Sequence, residues 1–339
     1  MNQVSTIGFD IAKHVFQVHG TDGQGRVFRR KLRRKEVIAY FSELPPSVIG
    51  MEACGSAHYW ARQLSALGHE VRLMPAAYVK PYVKRQKNDA VDAEACWEAV
   101  NRPTMRFVAI KSEEQQSVLM LHRARELLVR QRTQTSNALR GHLAEFGIIA
   151  RQGRGGTDEL LEFLESQEEG LIPELARTAL QVLAGQLREL RVKINEIERQ
   201  IHVWHRSNAQ SRRLETAPGI GPITASAIVA TVPDPSCFKS GRQFSAWLGL
   251  TPNENSTGGK QRLGRITRAG DSYLRRLLVV GAHAVLRFSG NAKSAPTRWA
   301  AELLAKKPYT VAAVALANKM ARVIWAMMMR GECFRTAAA

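Results

Sequence analysis

The stretch VSTIGFD (residues 4–10), followed at once by HVFQVH (14–19), decides the fold at the start of this chain. Both stretches are short and rich in β-branched and aromatic residues, which is typical of strands, and a tight break separates them. A third segment, GRVFRRKL (25–32), alternates apolar and polar residues after the turn-like DGQG. The pattern therefore predicts three consecutive strands in a meander.

Helices begin to alternate with strands after this meander. Residues 35–44 have a helical pattern, SVIGME (47–52) is an apolar strand, AHYWARQLSALG (57–68) is an amphipathic helix, and HEVRLMP (69–75) is another strand. A meander followed by such an alternation indicates an α/β domain with a mixed sheet.

Four acidic residues stand out by their positions. Asp10 ends the strand IGFD, Glu52 ends VIGME, and Asp89 and Asp92 lie three residues apart in KNDAVDAEA, where one helix face carries both. An acid at the end of a core strand costs desolvation free energy unless it is paired or binds a metal. Converging carboxylates suit Mg²⁺ or Mn²⁺, and two such ions would position a water or a 3′-hydroxyl for attack on a phosphodiester.

Each acid also has a simpler interpretation on its own. Asp10 could cap the turn that follows it, Glu52 could pair with a basic neighbour, and Asp89 could be the N-cap of its helix. The ordered set on strand, strand and helix favours a metal site.

The middle of the chain is predicted to be helical. Residues 113–146 contain no proline and one glycine, and a polar, glycine-rich break follows at RQGRGGT (151–157). The next helix has a heptad seam, which predicts either a coiled coil between subunits or a helical hairpin with 113–146, and both can occur together. The basic residues of the first helix are Arg123, Arg125, Arg130, Arg132 and Arg140, and the seam comprises Leu180, Leu183, Leu187, Leu190, Ile194, Ile197, Ile201 and Trp204.

The last third of the chain opens with a short glycine turn. Pro218-Gly219-Ile220-Gly221 lies between two helical segments, as in a helix–hairpin–helix. Gly219 and Gly221 would let backbone amides approach a phosphate closely, at the N-terminus of the following helix. The alternative is a tight turn between packed helices.

A second candidate for chemistry is Ser256 in the polar, glycine-rich loop TPNENSTGGKQRLGR (251–265). Serine is a poor nucleophile unless it is activated, and attack on a phosphodiester needs cations near the developing charge. Lys260, Arg262 and Arg265 follow closely. The alternative is a loop that contacts phosphate through its cations, with Ser256 as a hydrogen-bond donor.

The charge of the chain favours a polyanionic partner. There are 49 basic and 30 acidic residues, a net charge of +19 and a pI near 10.3. Residues 1–112 have 17 basic and 10 acidic side chains, 113–210 have 13 and 14, and 211–339 have 19 and 6, so two basic blocks flank a near-neutral middle. The four cysteines are far apart, without the spacing of a zinc site or a disulfide framework. Without a signal pattern or an apolar run long enough for a bilayer, we expect a soluble, cytoplasmic protein without a membrane partner.

The combination GFDIAK, MEACGSAHYW and KNDAVDAEA resembles the RuvC-like domain of the DEDD-type insertion-sequence transposases, family 110, and is most similar to its 1111-type subgroup. The stretch from APGIGPITASAI to DSYLRRLL resembles that family's second, transposase-specific domain. The resemblance implies an RNase H-like (RuvC-like) α/β domain at 1–112, a helical coiled-coil region at 113–210, and at 211–339 a mainly α-helical C-terminal domain with a helix–hairpin–helix and a serine loop.

The resemblance also implies roles for particular residues. Asp10, Glu52, Asp89 and Asp92 would bind Mg²⁺ or Mn²⁺, and Ser256 would be the nucleophile. Alignment backwards from RITRAG selects Ser256, whereas alignment on the glycine would select Thr257. The implied partners are donor and target DNA, a guide RNA from the non-coding end of the element, and further copies of the chain in a dimer or tetramer. The nucleic-acid contacts are assigned to Gly219, Gly221, Lys260, Arg262, Arg265, Arg123 and Arg130.

Two other functions remain open from the residues alone. A stand-alone nuclease that resolves four-way DNA junctions would need only the acids of the first domain, and it leaves the serine loop unexplained. A non-catalytic nucleic-acid-binding protein would need only the basic C-terminal domain, and the complete set of four acids argues against it.

Overall fold

The chain folds into two compact units, which we describe in turn. Unit 1 comprises residues 1–115 and 231–243, and unit 2 comprises 116–230 and 244–339. The structure is a computed structural model, and it describes residues 6–22, 24–84, 89–166, 171–288 and 295–335, without the side chains of 295–298.

Unit 1 is built on a five-stranded sheet in the order β3-β2-β1-β4-β5. The first three strands form an antiparallel meander, and β4 and β5 run parallel to β1. This confirms the predicted mixed sheet, with strand ends within two residues of their predicted positions among the described residues. The strands are β1 (Thr6–Asp10), β2 (Val15–Thr21), β3 (Val27–Arg33), β4 (Val48–Glu52) and β5 (Glu70–Met74).

One face of this sheet holds the main core of unit 1. Ile7, Phe9 and Ile49 are fully buried, because side chains alternate between the two faces of a strand. Phe9 stacks on Phe16 with ring centroids 5.5 Å apart and meets Phe41 edge to face at 5.1 Å. The helices of the unit are α1 (Val37–Ser42), α2 (Ala57–Ala66), α3 (Ala76–Val79) and α4 (Asp89–Val100).

Unit 2 opens with a helical hairpin. Its helices α5 (Glu113–Ala144) and α7 (Glu174–Ser207) are antiparallel, because Arg125 near the start of α5 binds Glu198 near the end of α7 at 2.6 Å. At the other end of the hairpin, Leu139 and Leu143 share a buried cluster with Leu180. The heptad seam is therefore buried largely within one chain, as the hairpin alternative predicts. Pairing of the seam between subunits remains a prediction.

The break predicted at 151–157 is shorter than expected. A helix that the sequence pattern did not predict, α6 (Arg154–Glu165), begins inside it. Two glycines in a first turn argue against a helix, because glycine has low helix propensity. Here the glycine is required by packing, since a Cβ on Gly156 would lie 1.8 Å from the carbonyl oxygen of Arg151.

The rest of unit 2 is mostly helical, as predicted for the C-terminal region, with one two-stranded sheet. The elements that follow α7 are α8 (Ala209–Glu215), α9 (Pro222–Thr231), α10 (Gly241–Trp247), β6 (Pro252–Glu254), β7 (Leu263–Ile266), α11 (Ser272–Arg287), α12 (Ala295–Leu304) and α13 (Tyr309–Arg330). Helices α9 and α10 each cross the boundary between the two units.

The expectation that no apolar stretch could span a bilayer needs a correction. Among the described residues, α13 is long and apolar enough by length and composition, with 22 residues. Half of its apolar window is buried inside the protein, the helix packs against α11, and Leu316 and Ile324 are among its buried residues. These are the properties of a core helix.

Candidate active site

Two glycines determine how the acidic residues of unit 1 are brought together. Gly8 and Gly50 are register partners on the adjacent parallel strands β1 and β4. A Cβ on Gly8 would lie 2.1 Å from the carbonyl oxygen of Ala93, and one on Gly50 would lie 2.6 Å from Cβ of Val100. Helix α4 therefore lies directly on the backbone of these strands, on the face opposite the main core.

The alternation of strand side chains places two acids on this same face. Asp10 is two residues after Gly8, and Glu52 is two residues after Gly50, so both side chains are on the side of the sheet that α4 covers. Asp89 and Asp92 lie in the first turn of α4. The sheet edge and the start of the helix thus meet at one point.

Three carboxylates converge there. Asp10, Asp89 and Asp92 each offer an oxygen, and these oxygens lie within 4.8 Å of one another. Glu52 is outside this group of three, but it lies close enough for its charge to raise the pKa of Asp10. The structure therefore brings the oxygens of three of the four predicted acids within 4.8 Å of one another, with the fourth near enough to act on Asp10 through its charge.

Burial and repulsion act on Asp10 in the same direction. Burial is the largest cause, followed by the charges of Asp92, Asp89 and Glu52, and together they raise the pKa of Asp10 from its ordinary value of 3.8 to about 6. A cation bound among these carboxylates would relieve the repulsion. The donor set is carboxylate oxygen alone, which fits a hard divalent ion such as Mg²⁺ or Mn²⁺.

Two thiols near the acids experience the same negative charge. Burial raises the pKa of Cys54 and of Cys96, and the charges of Asp10 and Glu52 raise both further. The three ligand atoms that converge among the described residues are all carboxylate oxygens, which makes this a candidate oxygen site.

We expect Asp10→Asn to stabilise the metal-free protein at about pH 8. Between pH 3.8 and about 6 the folded state keeps a proton that the unfolded chain releases, so stability falls as the pH rises through this window. Asn removes that loss, which we put at about 1–2 kcal/mol after allowing for solvent screening. Thermal unfolding in EDTA should show a higher Tm for Asp10→Asn than for wild type at about pH 8, and no such gain near pH 4.

Glu98→Gln, on the same helix but outside the cluster, is the matched control and should show no such pH-dependent gain. A Tm of Asp10→Asn below that of wild type at the higher pH would mean that the carboxylate is not under repulsion.

Ser256 lies on a structured hairpin, not in an open loop as the sequence predicted. We call residues 252–266 the serine hairpin; it consists of β6, β7 and their connection. Lys260 N–H donates to the carbonyl of Thr257 at 3.1 Å, and Gly258 and Gly259 between them have φ of 57° and 75°. Positive φ at both central positions is what a type I′ hairpin turn requires, and the Gly-Gly pair provides it.

The Ser256 hydroxyl has two hydrogen-bond partners. Its Oγ donates to Oε1 of Glu254 at 2.9 Å and accepts from the backbone N–H of Arg262 at 3.2 Å. Ser256 and Glu254 are two residues apart and so point to the same side of the hairpin. Sequence reasoning missed Glu254, although this spacing in NENS was a usable signal.

The neighbouring residues of the serine hairpin differ from Ser256 in their contacts. The Thr257 hydroxyl has no hydrogen-bond partner among the described residues, because the residue forms the corner of the turn. The side chains of Lys260, Arg262 and Arg265 are exposed, and within the same residues none of them forms an ion pair. The Ser256 hydroxyl therefore has a carboxylate partner, and the Thr257 hydroxyl has none among the described residues.

In the glycine turn at 218–221, one glycine is required by packing and another is exposed to solvent. Gly219 has φ of 79°, and a Cβ there would lie 2.8 Å from the carbonyl oxygen of Gly281 on α11. Gly221 is exposed with open space around it, directly before α9. This geometry favours the tight-turn interpretation for Gly219 and leaves Gly221 as the residue that faces solvent.

The arginines of α5 also divide into two kinds. Arg125 is half-buried against Glu198 and supports the hairpin. Arg123 is exposed and has distant ion pairs with Glu126 at 3.6 Å and Asp271 at 3.9 Å. Arg130 is exposed and without an ion pair among the described residues. Arg123 and Arg130 are therefore accessible to a partner.

One arrangement in unit 2 links a serine, a histidine and a carboxylate as a serine hydrolase does, but through the opposite ring nitrogens and without its accessibility. His205 bonds through Nδ1 to the Ser211 hydroxyl at 2.7 Å and through Nε2 to Glu215 at 2.8 Å. Ser211 is 0% exposed, at the junction of α7 and α8. A nucleophile must reach its substrate, so this network has a structural role.

Comparison with known proteins places this site in context. Residues 7–148 match the IS110-type DEDD family model, described as a transposase, and residues 211–296 match the model described as the transposase IS116/IS110/IS902 family. A Pseudomonas aeruginosa protein named "Probable family 20 transposase" is 51% identical, over 98% of this chain and 99% of its own. The transposases for insertion sequence elements IS1111A of Coxiella burnetii and IS1328 of Yersinia enterocolitica are each 38% identical, over 100% and 98% of this chain and 93% and 99% of theirs.

Proposed function

Because the chain belongs to the IS110 family of transposases, enzymes that cut and rejoin DNA, we propose that it moves an insertion sequence through a serine nucleophile, a Mg²⁺-dependent carboxylate site and a guide RNA. The match to the RNase H-like DEDD domain of that family covers residues 7–148, which include helix α5 and all but the first residue of the five-stranded sheet. The observation that carries the proposal is the convergence of Asp10, Asp89 and Asp92 within 4.8 Å, beside Glu52.

The carboxylate site is where a divalent ion would act. Family membership implies divalent metal use, and Asp10, Asp89 and Asp92 would hold the ion with Glu52 beside them. Bound there, Mg²⁺ or Mn²⁺ would supply Lewis-acid polarisation of a phosphate oxygen. The protonation of Asp10 works against this binding, so the site should load more readily as the pH rises above about 6.

The serine hairpin would supply the nucleophile. The Oγ of Ser256 forms a bond to phosphorus while the bond from phosphorus to the leaving sugar oxygen breaks. Glu254 takes the serine proton, and the N–H of Arg262 stabilises the oxygen as it loses that proton. The leaving oxygen takes a proton from solvent and becomes a hydroxyl, and Glu254 later returns the serine proton to solvent. The phosphoserine bond conserves the energy of the broken phosphodiester, so a sugar hydroxyl can later reverse the step and reseal the DNA.

Exposed basic side chains on helix α5 and on the serine hairpin would hold the nucleic acids. We propose that Lys260, Arg262 and Arg265 contact nucleic-acid phosphates, and that Arg123 and Arg130, together with the basic C-terminal region, hold the guide RNA. In the glycine turn, Gly221 is the position open to a phosphate. We propose that segments 1–112, 113–210 and 211–339 divide this work, that the α7 seam supports a dimer or tetramer, and that the enzyme acts in the cytoplasm.

The test of this function is to purify the protein from cells that carry the whole mobile element. At low salt it should retain one discrete small RNA, whose binding weakens steeply as salt is added, because phosphate contacts release counterions. Removing the non-coding end of the element is the matched control and should abolish recombination. Recombination of DNA by RNA-free protein would refute the guide and leave an ordinary transposase.

The alternative functions explain less of the chain. A junction nuclease would use the carboxylates alone and give no role to the hydrogen-bonded Ser256 and Glu254. A non-catalytic binding protein would not need carboxylates held in mutual repulsion at Asp10. Cleavage with and without EDTA separates the second of these from an enzyme.

A further inference from the structure

We propose that a cavity in the helical hairpin of unit 2, distinct from the carboxylates and the serine hairpin, binds one nucleotide of an unpaired nucleic-acid strand through its phosphate. The cavity lies between α5, the start of α6 and α7, and has a volume of about 350 Å³. This inference requires only that the protein acts on nucleic acid, and it does not depend on the guide RNA or on Ser256.

The walls of the cavity are strongly basic. Four arginines line it, and there is no acidic side chain among the described lining residues. The arginines are Arg132 and Arg140 from α5, Arg154 from α6 and Arg191 from α7. Arginine presents a planar fork of donors that matches phosphate oxygens.

The ion pairs around the cavity leave most of this charge uncompensated. Asp158 neutralises Arg191 at 2.5 Å and lies 4.0 Å from Arg154. Arg132 has no ion pair within the part of the chain that the structure describes. One acidic neighbour for four arginines leaves a positive cavity that an anion would complete.

Within the described ranges, Arg140 is held in this wall by neutral oxygens and has no carboxylate partner. Its Nη2 donates to the carbonyls of Arg151 and Gly153 and to the Thr157 hydroxyl, at 3.1, 2.7 and 3.1 Å. Its Nε is buried without a hydrogen-bond partner among the described residues. These neutral oxygens fix the guanidinium in place and leave its charge unbalanced, so structural tethering of α6 alone does not account for the arginine.

The start of α6 adds a favourable dipole to the same cavity. Gly153, with φ of 97°, is the N-cap of this 12-residue helix and provides no side chain to cap it. An uncapped helix N-terminus favours an anion such as phosphate. The segment RQGRGGT, for which the proposed function has no role, is thereby placed at a phosphate site.

The size of the cavity indicates more than a bare anion. A volume near 350 Å³ is at the lower end of pockets that hold small organic ligands. Leu187 and Ile194 lie behind the cavity and are almost fully buried, so the surface open to a ligand includes the side chains of Asn137 and Asn195 beside the arginines. A sugar and base edge would lie against these amide side chains while the arginines hold the phosphate, which requires a nucleotide free of a duplex.

The test measures binding of a fluorescein-labelled oligothymidylate to the full-length protein by anisotropy, over a range of salt concentrations. The oligouridylate of equal length, measured in parallel, identifies whether DNA or RNA is the preferred strand. Arg132→Gln should weaken the preferred strand about tenfold and lower the slope of log K against log salt by about 0.7, the value for one single-strand phosphate contact. Arg199→Gln removes the same charge from an exposed site on α7 outside the cavity, and should change neither by more than about twofold.

A second pair of variants adds charge instead of removing it. Asn195→Glu places a carboxylate in the cavity and should weaken binding of the oligonucleotide. Gln181→Glu places a carboxylate at an exposed position of α7 outside the cavity and should leave that binding unchanged. Circular dichroism confirms that each variant is folded. Equal effects within each pair, or no effect in either, would overturn the proposal. The proposal would also be overturned if Arg132→Gln lost binding of adenosine monophosphate but kept binding of the oligonucleotide. The cavity would then hold a free nucleotide and not a nucleotide of a strand.

Discussion

Replacing Asp10 and Asp89 together with Asn should reduce strand cleavage by about a thousandfold or more, because the carboxylates that hold the divalent ion are lost. Their oxygens lie within 4.8 Å of one another and of Asp92, so removing two of them leaves too few ligands for a stable ion. The measurement is cleavage of a labelled donor DNA. EDTA should have the same effect on the wild type, and excess Mg²⁺ should reverse it.

The variant's stability keeps this experiment interpretable. Because repulsion and burial raise the pKa of Asp10 to about 6, the double variant should be at least as stable as the metal-free wild type at neutral pH. Loss of cleavage then reflects lost chemistry and not unfolding. Glu98→Gln, on the same helix and paired with Arg102, should cleave normally. Full recombination by Asp10→Asn/Asp89→Asn would refute the metal site.

Ser256→Ala should abolish strand exchange and leave DNA and RNA binding unchanged. The hydroxyl is exposed and lies between the Glu254 carboxylate and the Arg262 N–H, and its removal leaves no atom to carry the broken DNA end. Glu254→Gln should slow exchange by about 10²–10⁴-fold, the usual contribution of a general base. The measurement is mass spectrometry of a denatured, stalled reaction, which should reveal DNA attached to a peptide containing Ser256.

Thr257→Ala is the matched control for this experiment, because it removes the neighbouring hydroxyl from the same turn. It should retain activity, since the Thr257 hydroxyl has no activating partner among the described residues. An adduct on Thr257 would show that alignment on the glycine is correct. Robust recombination by Ser256→Ala would refute the serine mechanism altogether.

Local sequence patterns predicted the sheet of unit 1, and they singled out four acids, of which Asp10, Asp89 and Asp92 have oxygens within 4.8 Å of one another. The alternation in VSTIGFD and SVIGME predicted the two strands and placed Asp10 and Glu52 at their ends. This needs no knowledge of the tertiary structure, because successive side chains of a strand point to opposite faces of the sheet. The spacing of Asp89 and Asp92 gave one helix face for the same reason.

Features that depend on tertiary packing were not predictable in this way. Helix α6 begins with two glycines, and only the contact of Gly156 with the Arg151 carbonyl explains them. The cross-strand N–H of Arg262 reaches Ser256 only through the register of the serine hairpin. Gly219 was assigned to phosphate binding from its motif, whereas its position against Gly281 depends on how α11 packs.

The close approach of α4 to Gly8 and Gly50 has a consequence for how copies of such an element lose activity. An added methyl group at either glycine cannot be absorbed by a flexible side chain, because the nearest atoms belong to the helix backbone at Gly8 and to a Cβ at Gly50. The helix must move away, and it takes Asp89 and Asp92 with it. Replacement of either glycine by alanine would therefore be enough to inactivate the enzyme. The sequence of such a copy would still contain all four acids and the serine.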